Sequence, residues 1–169
     1  MKVLETDRLV LRRITTDDAE FLLRHLNDPS FHRFIGDRGV RTVEQARQYI
    51  RERALSSYER FGYGIYLMEL KASGEPIGTC GLIHREGMDD VEVGFALLPP
   101  YWSRGYAFEA AQAVMEYGYG ELGLDRIVAI VNPGNVRSFR LLEKLGLRFD
   151  RAIRLAHDDS EVELFTPDS

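Results

Sequence analysis

The residues best placed to do chemistry lie in one short run, Trp102-Ser-Arg-Gly-Tyr-Ala107. Upstream the chain reads VEVGFAL over 91–97, an apolar, β-branched strand pattern, and then breaks at Pro99-Pro100. Downstream it reads FEAAQA, an Ala-rich helix start. A strand, a glycine-bearing loop and a helix N-terminus in that order present successive backbone N–H groups at the positive end of a helix dipole. The chemistry this predicts is phosphate binding.

Other chemical signatures fall away. Gly118, Gly120 and Gly123 spell GxGxxG, but they come after a helix instead of a strand, so they terminate that helix and hold no dinucleotide. The chain has no GxSxG elbow and no HExxH, and His25, His32, His84 and His157 have no ligand spacing, which makes them structural or surface residues. Cys80 is the only cysteine; it can form no intrachain disulfide or cysteine zinc site, and GTCGLI reads as a buried strand. No metal is expected.

The elements that must position the loop can be read in order. ETDRLVLRRIT alternates as a strand, and Thr16, Asp17 and Asp18 cap a helix carrying Ala19, Phe21, Leu22, Leu23 and Leu26, closed by Pro29. Residues 31–40 read as a loop or broken helix, and Thr42 caps a second helix over about 43–60. The period then changes: 63–70, 77–84 and 91–97 are three strands joined by hairpin-length turns, an antiparallel meander. A long helix over 105–122 leads to a strand at 126–131. Asn135 caps a helix over 136–145 with Gly146 past its end, and 149–155 with 161–165 form a last hairpin around HDDS.

Together these elements predict one α+β domain over 1–169, built on a mixed, mostly antiparallel sheet flanked by helices. With 44% apolar and 29% charged residues the chain suits a globular domain, and a net charge of −5 argues against a dedicated nucleic-acid partner. No apolar run is long enough for a membrane span, and MKVLETDRLVLRR carries charges where a signal peptide needs an apolar core; a cytoplasmic protein is expected.

Between a strand and a helix, WSRGYA resembles the acyl-CoA signature Q/R-x-x-G-x-G/A of the GNAT family of N-acetyltransferases. The resemblance runs along nearly the whole chain: ETDRLVLRRITTDDAEFL is similar to the family's first strand and helix, and NPGNVRSFRLLEKLGLRFD to its last conserved block. The branch that begins ETxRLxLR, carries YWGxGYATEA and ends NxxSxRLLEKLGF acts on ribosomal-protein N termini and related amines, and this sequence resembles it. Dimers are common there, so a homodimer is a possibility carried by the resemblance.

The resemblance implies the GNAT fold and acetyl-CoA as co-substrate. Its pyrophosphate would lie on the amides of Ser103, Arg104, Gly105, Tyr106, Ala107 and Phe108, with the Arg104 side chain as a further contact. Each charge near the dipole contributes about 0.3 to 1 kcal/mol. Gly105 and Ala107 fit because larger side chains would hold the backbone off the phosphates. Trp102 replaces the signature's Gln or Arg, and Phe108 the branch's Thr or Ser, which removes a hydroxyl contact. Family members splay the fourth strand, here 91–97, from the fifth, here 126–131, so that pantetheine pairs with the freed backbone at Phe95, Ala96 and Leu97. An N–H near Ala96 or Leu97 would then meet the thioester oxygen.

Transfer to an amine also needs a base and an acid. The tyrosine many family members use as acid falls at Leu142, so Ser138 is assigned to donate or relay the proton to the thiolate, against its alternative as a helix serine bonded to local backbone. Asn135 reads both as helix cap and as partner for pantetheine amides. Glu92 is the carboxylate best placed as base, its alternative being a solvated strand residue; His84 and an ordered-water relay compete with it. Glu109 is assigned to the helix's first turn. The implied activity is acetyl transfer by direct attack, to a peptide N-terminus or a small-molecule amine, and the alternative is a non-catalytic acyl-CoA-binding domain. Acceptor contacts are expected from 31–40, the second helix and the 150s hairpin.

Overall fold

A computed structural model describes residues 1–155 and 158–167, and the side chains of all of these except 158 and 159. The predicted hairpin turn at His157 therefore lies outside the described residues. Eight strands form one sheet in the order β1-β2-β3-β4-β5-β6-β8-β7. The three meander strands are β3 (Ile65–Leu70), β4 (Pro76–Ile83) and β5 (Val91–Leu97), antiparallel as their turns require. β6 (Ile127–Val131) returns parallel to β5, and the hairpin of β7 (Leu147–Leu155) and β8 (Asp158–Pro167) closes that side through β8.

Two stretches depart from the sequence expectation. Lys2–Glu5 is an additional strand, β1, antiparallel to β2 (Leu9–Arg13), so the fourth and fifth strands of the sequence reading become β5 and β6. Pro29 does not close a helix but starts one: α1 (Ala19–Leu26) ends at Asn27, and Asp28 caps α2 (Pro29–Phe34) by accepting from the Ser30 N–H at 2.9 Å. Pro suits a first helical turn because its missing N–H has no partner there in any case. The cap before α1 is Thr15, one residue ahead of those expected, in a reciprocal box with Asp18. The second helix continues through α3 (Val43–Ile50), one π-helical turn (Arg51–Leu55) and α4 (Ser56–Phe61).

Strand alternation assigns the layers. Leu82 of β4 packs toward Gly118 of α5 (Tyr106–Gly120), whereas Thr79, on the opposite face, meets His25 of α1. The core between these layers is fully buried at Leu9, Leu11, Leu67, Met68, Ile77, Leu82 and Ile127. Cys80 is buried in the same layer, and burial pushes its thiol pKa up. Among the described residues no helix is long and apolar enough to cross a membrane.

The feature that makes a site is a failure of pairing. β5 pairs with β4 along its length, from Glu92 opposite Ile83 to Leu97 opposite Gly78, but with β6 only at Val91 and Glu92. Beyond Glu92 the two parallel strands diverge, and β6 instead pairs with β8 over Ala129–Val131.

Candidate active site

The divergence opens a cleft of about 490 Å³ whose walls come from β5, the loop after it, α5, α6 (Val136–Lys144), α2 and the end of α1. The sequence-assigned residues Phe95, Ala96, Leu97, Ser103, Gly105, Tyr106, Ala107, Phe108, Asn135 and Ser138 all line it. Glu92 and the Arg104 side chain do not.

The backbone facing the cleft is specific. The Leu98 N–H donates to Ile77 of β4 at 3.0 Å, and an ideal Cβ on Gly78 would lie 2.2 Å from the Ala96 carbonyl oxygen. Residues 96 and 98 therefore turn their polar backbone to β4, and by alternation Phe95 and Leu97 turn theirs to the open edge. This corrects the expectation for Ala96, which contributes its methyl group and not its N–H. The Leu97 carbonyl accepts the Trp102 indole N–H at 2.8 Å, leaving the N–H groups of Phe95 and Leu97 as the donors that face the cleft.

Past β5 the loop is built for close backbone approach. Ser103 has φ +62° and Gly105 φ +83°, both left-handed, which bends the chain sharply into α5. The first intrahelical bond runs from the Glu109 N–H to the Gly105 carbonyl at 3.0 Å, so the N–H groups of Tyr106, Ala107 and Phe108 have no partner within the helix. A clamp fixes this loop from behind. Glu109 accepts from the Thr6 hydroxyl, from the Arg8 N–H at 3.0 Å and from Arg8 Nε at 2.8 Å, while Arg8 Nη1 donates to the Arg104 carbonyl at 3.0 Å and its guanidinium lies 4.3 Å over the Tyr106 ring. Burial favours a protonated Glu109, but these Thr6 and Arg8 contacts outweigh it and hold its pKa down. Glu109 thus does more than favour a first turn, and the Arg104 contribution is its carbonyl.

On the far wall Asn135 caps α6, its Oδ1 accepting from the Ser138 N–H at 3.4 Å. Arg137, Arg140 and Lys144 of the same helix line the cleft, with the Arg137 guanidinium 4.6 Å over the Trp102 ring. These cations were missed because α6 reads in sequence as an ordinary amphipathic helix; only their periodicity with Ser138 marks one face. Leu142 is 1% exposed and belongs to the core. The tyrosines that line the cleft are Tyr101, whose hydroxyl donates to Glu75 at 2.6 Å, and Tyr106.

Glu92 is 4% exposed and held by a bidentate pair with Arg85, both contacts at 2.9 Å. It lies on the same face as Ala96, yet four residues along an extended strand is about 13 Å, and Ile83 packs over Gly94 between them. Direct contact with a group beside Ala96 is out of its reach. His84 is exposed and stacks on Phe61 at 4.4 Å, away from the cleft wall. Of the stretches expected to meet the acceptor, 31–40 lines the cleft through Phe31, Phe34 and Ile35, joined by His25, Asp28 and Ser30 just before it; neither the second helix nor the described part of the 150s hairpin contributes. Asn132, past β6, donates to the Phe34 carbonyl at 2.6 Å and so ties α2 to the far side of the opening.

Comparison with known proteins agrees with this geometry. The family model described as Acetyltransferase (GNAT) domain matches residues 8–148. The chain is 36% identical over 159 residues to the Bacillus subtilis (strain 168) protein called Uncharacterized N-acetyltransferase YoaA, covering 90% of this chain and 86% of that protein. The acetyltransferase from Agrobacterium tumefaciens str. C58 superposes with a TM-score of 0.83 at 25% identity, over 100% of this chain and 95% of that one. RimL, a ribosomal L7/L12 alpha-N-protein acetyltransferase solved in complex with coenzyme A, has the same fold at a TM-score of 0.83 and 16% identity, covering 98% and 97% of the two chains. A parallel pair that opens after two residues, an unpartnered helix N-terminus beside the opening and a family match across most of the chain lead to one conclusion: the chain belongs to the GNAT family of acetyltransferases.

Proposed function

We propose that the chain, acting as a single domain, transfers the acetyl group of acetyl-CoA to a primary amine by direct attack. The observation that carries the reading is the open edge of β5 leading into the three unpartnered amides of Tyr106, Ala107 and Phe108. Pantetheine would add to that edge as a strand, with the pyrophosphate on the amides and the Arg137, Arg140 and Lys144 side chains adding positive potential. Asn135 keeps one carbonyl lone pair for a pantetheine amide after capping α6.

In the reaction the amine nitrogen attacks the thioester carbon, and negative charge grows on its oxygen. The N–H of Phe95 or Leu97 donates to that oxygen, a contact of the kind that contributes about 2.7 to 4 kcal/mol. As the C–N bond forms the nitrogen sheds a proton to water, and as the C–S bond breaks the thiolate takes one, relayed by the Ser138 hydroxyl. Glu92 enters only as the far end of an ordered-water relay, since it does not reach the cleft.

Release of free thiol from acetyl-CoA across N-terminal peptides, small amines, polyamines and aminoglycosides tests the activity. Release with at least one amine is expected; calorimetric binding of CoA without release from any of them refutes transfer. Ser138→Ala is expected to lower kcat by about a hundredfold with little change in the Kd for acetyl-CoA, and an unchanged kcat removes Ser138 from the reaction.

A further inference from the structure

The free edge of β5 ends abruptly. Phe95 and Leu97 turn their backbone groups away from β4, and Leu98 stays extended (φ −64°, ψ 139°), so the alternation carries one step further and would turn the N–H of residue 99 to the cleft. That residue is Pro99, which has no N–H. The Leu97 carbonyl, the next acceptor on the edge, already takes the Trp102 indole N–H at 2.8 Å. Between residues 95 and 99 the cleft therefore meets the Phe95 N–H, the Phe95 carbonyl and the Leu97 N–H.

Trp102 is fixed in that place from several sides. Its own N–H donates to the Pro99 carbonyl at 3.0 Å, closing the 3-10 turn Pro99–Tyr101, so the proline that removes the donor also starts the turn that brings the indole back to Leu97. The Arg137 guanidinium lies 4.6 Å from the ring centroid, and the Phe34 ring meets the indole edge-on at 6.3 Å, which holds it from α6 and from α2. The Leu97 carbonyl and the Leu98 N–H share one peptide plane. That plane is pinned at both ends, by Trp102 on the cleft side and by the Ile77 carbonyl at 3.0 Å on the β4 side.

We propose that Trp102 sets the register in which acetyl-CoA adds to β5, by withholding the second place at which pantetheine could pair. The proposal rests on the acetyl-transfer reading. Pantetheine carries two amides, each with its carbonyl toward the pyrophosphate and its N–H toward the thioester. The amides of residues 106–108 follow Leu97 in the chain, so pantetheine runs back along the edge from 97 toward 95. The amide nearer the thioester then sets its carbonyl on the Leu97 N–H and its N–H on the Phe95 carbonyl, which leaves the Phe95 N–H for the thioester oxygen. A slip of two residues, about 7 Å, would bring an amide against the N–H of residue 99 and the Leu97 carbonyl. Pro99 lacks the first and Trp102 occupies the second, so the slipped complex leaves amide groups unpaired. The other amide is left to the Asn135 side chain. Trp102 acts through the Leu97 carbonyl, as a positioning residue.

The test is the whole chain carrying Trp102→Phe, which keeps a ring beside Arg137 and Phe34 but frees the Leu97 carbonyl to take a pantetheine N–H. That carbonyl faces an open cleft where water satisfies it, so Tm should not change. Thiol release is measured at saturating acetyl-CoA, with the amine that gives the fastest release by the unaltered chain. The expected result is a kcat lowered about fivefold, the weight of one hydrogen bond in the choice of register. The calorimetric Kd for acetyl-CoA should be unchanged or tighter, since the slipped complex adds to the bound population. An indole that only braced the loop would give the opposite split, a weaker Kd at the same kcat. That split, an unchanged kcat, or a lower kcat with a weaker Kd each overturns the proposal. Replacing Trp102 with its benzothiophene analogue, which matches the indole in shape and lacks its N–H, repeats the measurement should Trp102→Phe fold poorly, and a normal kcat there overturns the proposal by itself. Failure of the unaltered chain to release thiol from acetyl-CoA with any amine is instead the failure of the transferase reading.

Discussion

At the scale of single residues, backbone conformation and charge pairing decide what each position can do. Gly105 combines φ +83° with a place at the N-cap of α5, where the site built by the next three amides favours anions. Gly105→Glu adds left-handed strain, and its Cβ would lie 3.3 Å from Arg8 Nη2, so the added carboxylate competes with Glu109 for the Arg8 guanidinium and distorts the loop. Calorimetry should show loss of acetyl-CoA binding, and an unaltered affinity would remove the loop from the donor site. Glu92 illustrates the opposite case, a carboxylate whose nearest partner already claims it. Glu92→Gln breaks a buried ion pair and should cost roughly 3 kcal/mol of stability in denaturant titration. A pH–rate profile of unchanged shape would assign Glu92 to structure, and a displaced one would restore its place in a proton relay.

At the scale of elements, the donor loop is held by a segment about a hundred residues away. Thr6 and Arg8, at the turn between β1 and β2, grip Glu109 of α5 and the Arg104 carbonyl, so the first hairpin braces the loop against the pull of α5. Glu109→Ala leaves three donors without their acceptor, the Thr6 hydroxyl, the Arg8 N–H and Arg8 Nε. Because Arg8 is 44% and Glu109 21% exposed at the side chain, solvent screening limits the stability loss to about 1–2 kcal/mol. The larger expected effect is on the loop: weaker acetyl-CoA binding with little change in kcat, checked by calorimetry beside steady-state kinetics. Equal affinity would show that the loop holds its shape without the clamp.

At the scale of the whole molecule, a buried neutral histidine links stability to pH. Burial holds the folded His25 near a pKa of about 4, whereas its ordinary value is 6.5. Between those values the unfolded chain binds the proton and the folded one does not, so stability is full above about pH 6.5 and falls as the pH drops toward 4. The loss reaches roughly 3 kcal/mol at most. Asp18 and Glu109, whose folded pKa values lie below their ordinary ones, also lose stability in acid. Subtracting the His25→Leu/Thr79→Val curve from that of the unaltered chain isolates the histidine: the difference should grow from pH 6.5 to 4, and a flat difference would show that His25 is not buried neutral in solution.

How much of this could be read from the sequence depends on the range of the interaction. Period-2 and period-3.6 patterns are local, so the meander, α5, α6 and the Asn135 cap were legible, and so was the loop, because Gly105 between a strand and an Ala-rich run has few other uses. Pro29 misled because proline forbids a helix interior but suits a helix start, and only the packing of residues 30–34 distinguishes the two. The direction of the Ala96 N–H depends on which neighbour β5 pairs with, and that is fixed by the β4 register. Glu92 and Arg85 are seven residues apart, but alternation cannot say that one will claim the other. The Thr6–Arg8–Glu109 clamp and the His25–Thr79 contact join residues far apart in the chain, and no local pattern encodes them. The sequence by itself determined the family, the elements and the anion-binding loop, since these arise from local propensity and motif. Only the tertiary structure decided which backbone donors face the cleft, which carboxylate is already paired and which histidine is buried, because each is a property of long-range packing.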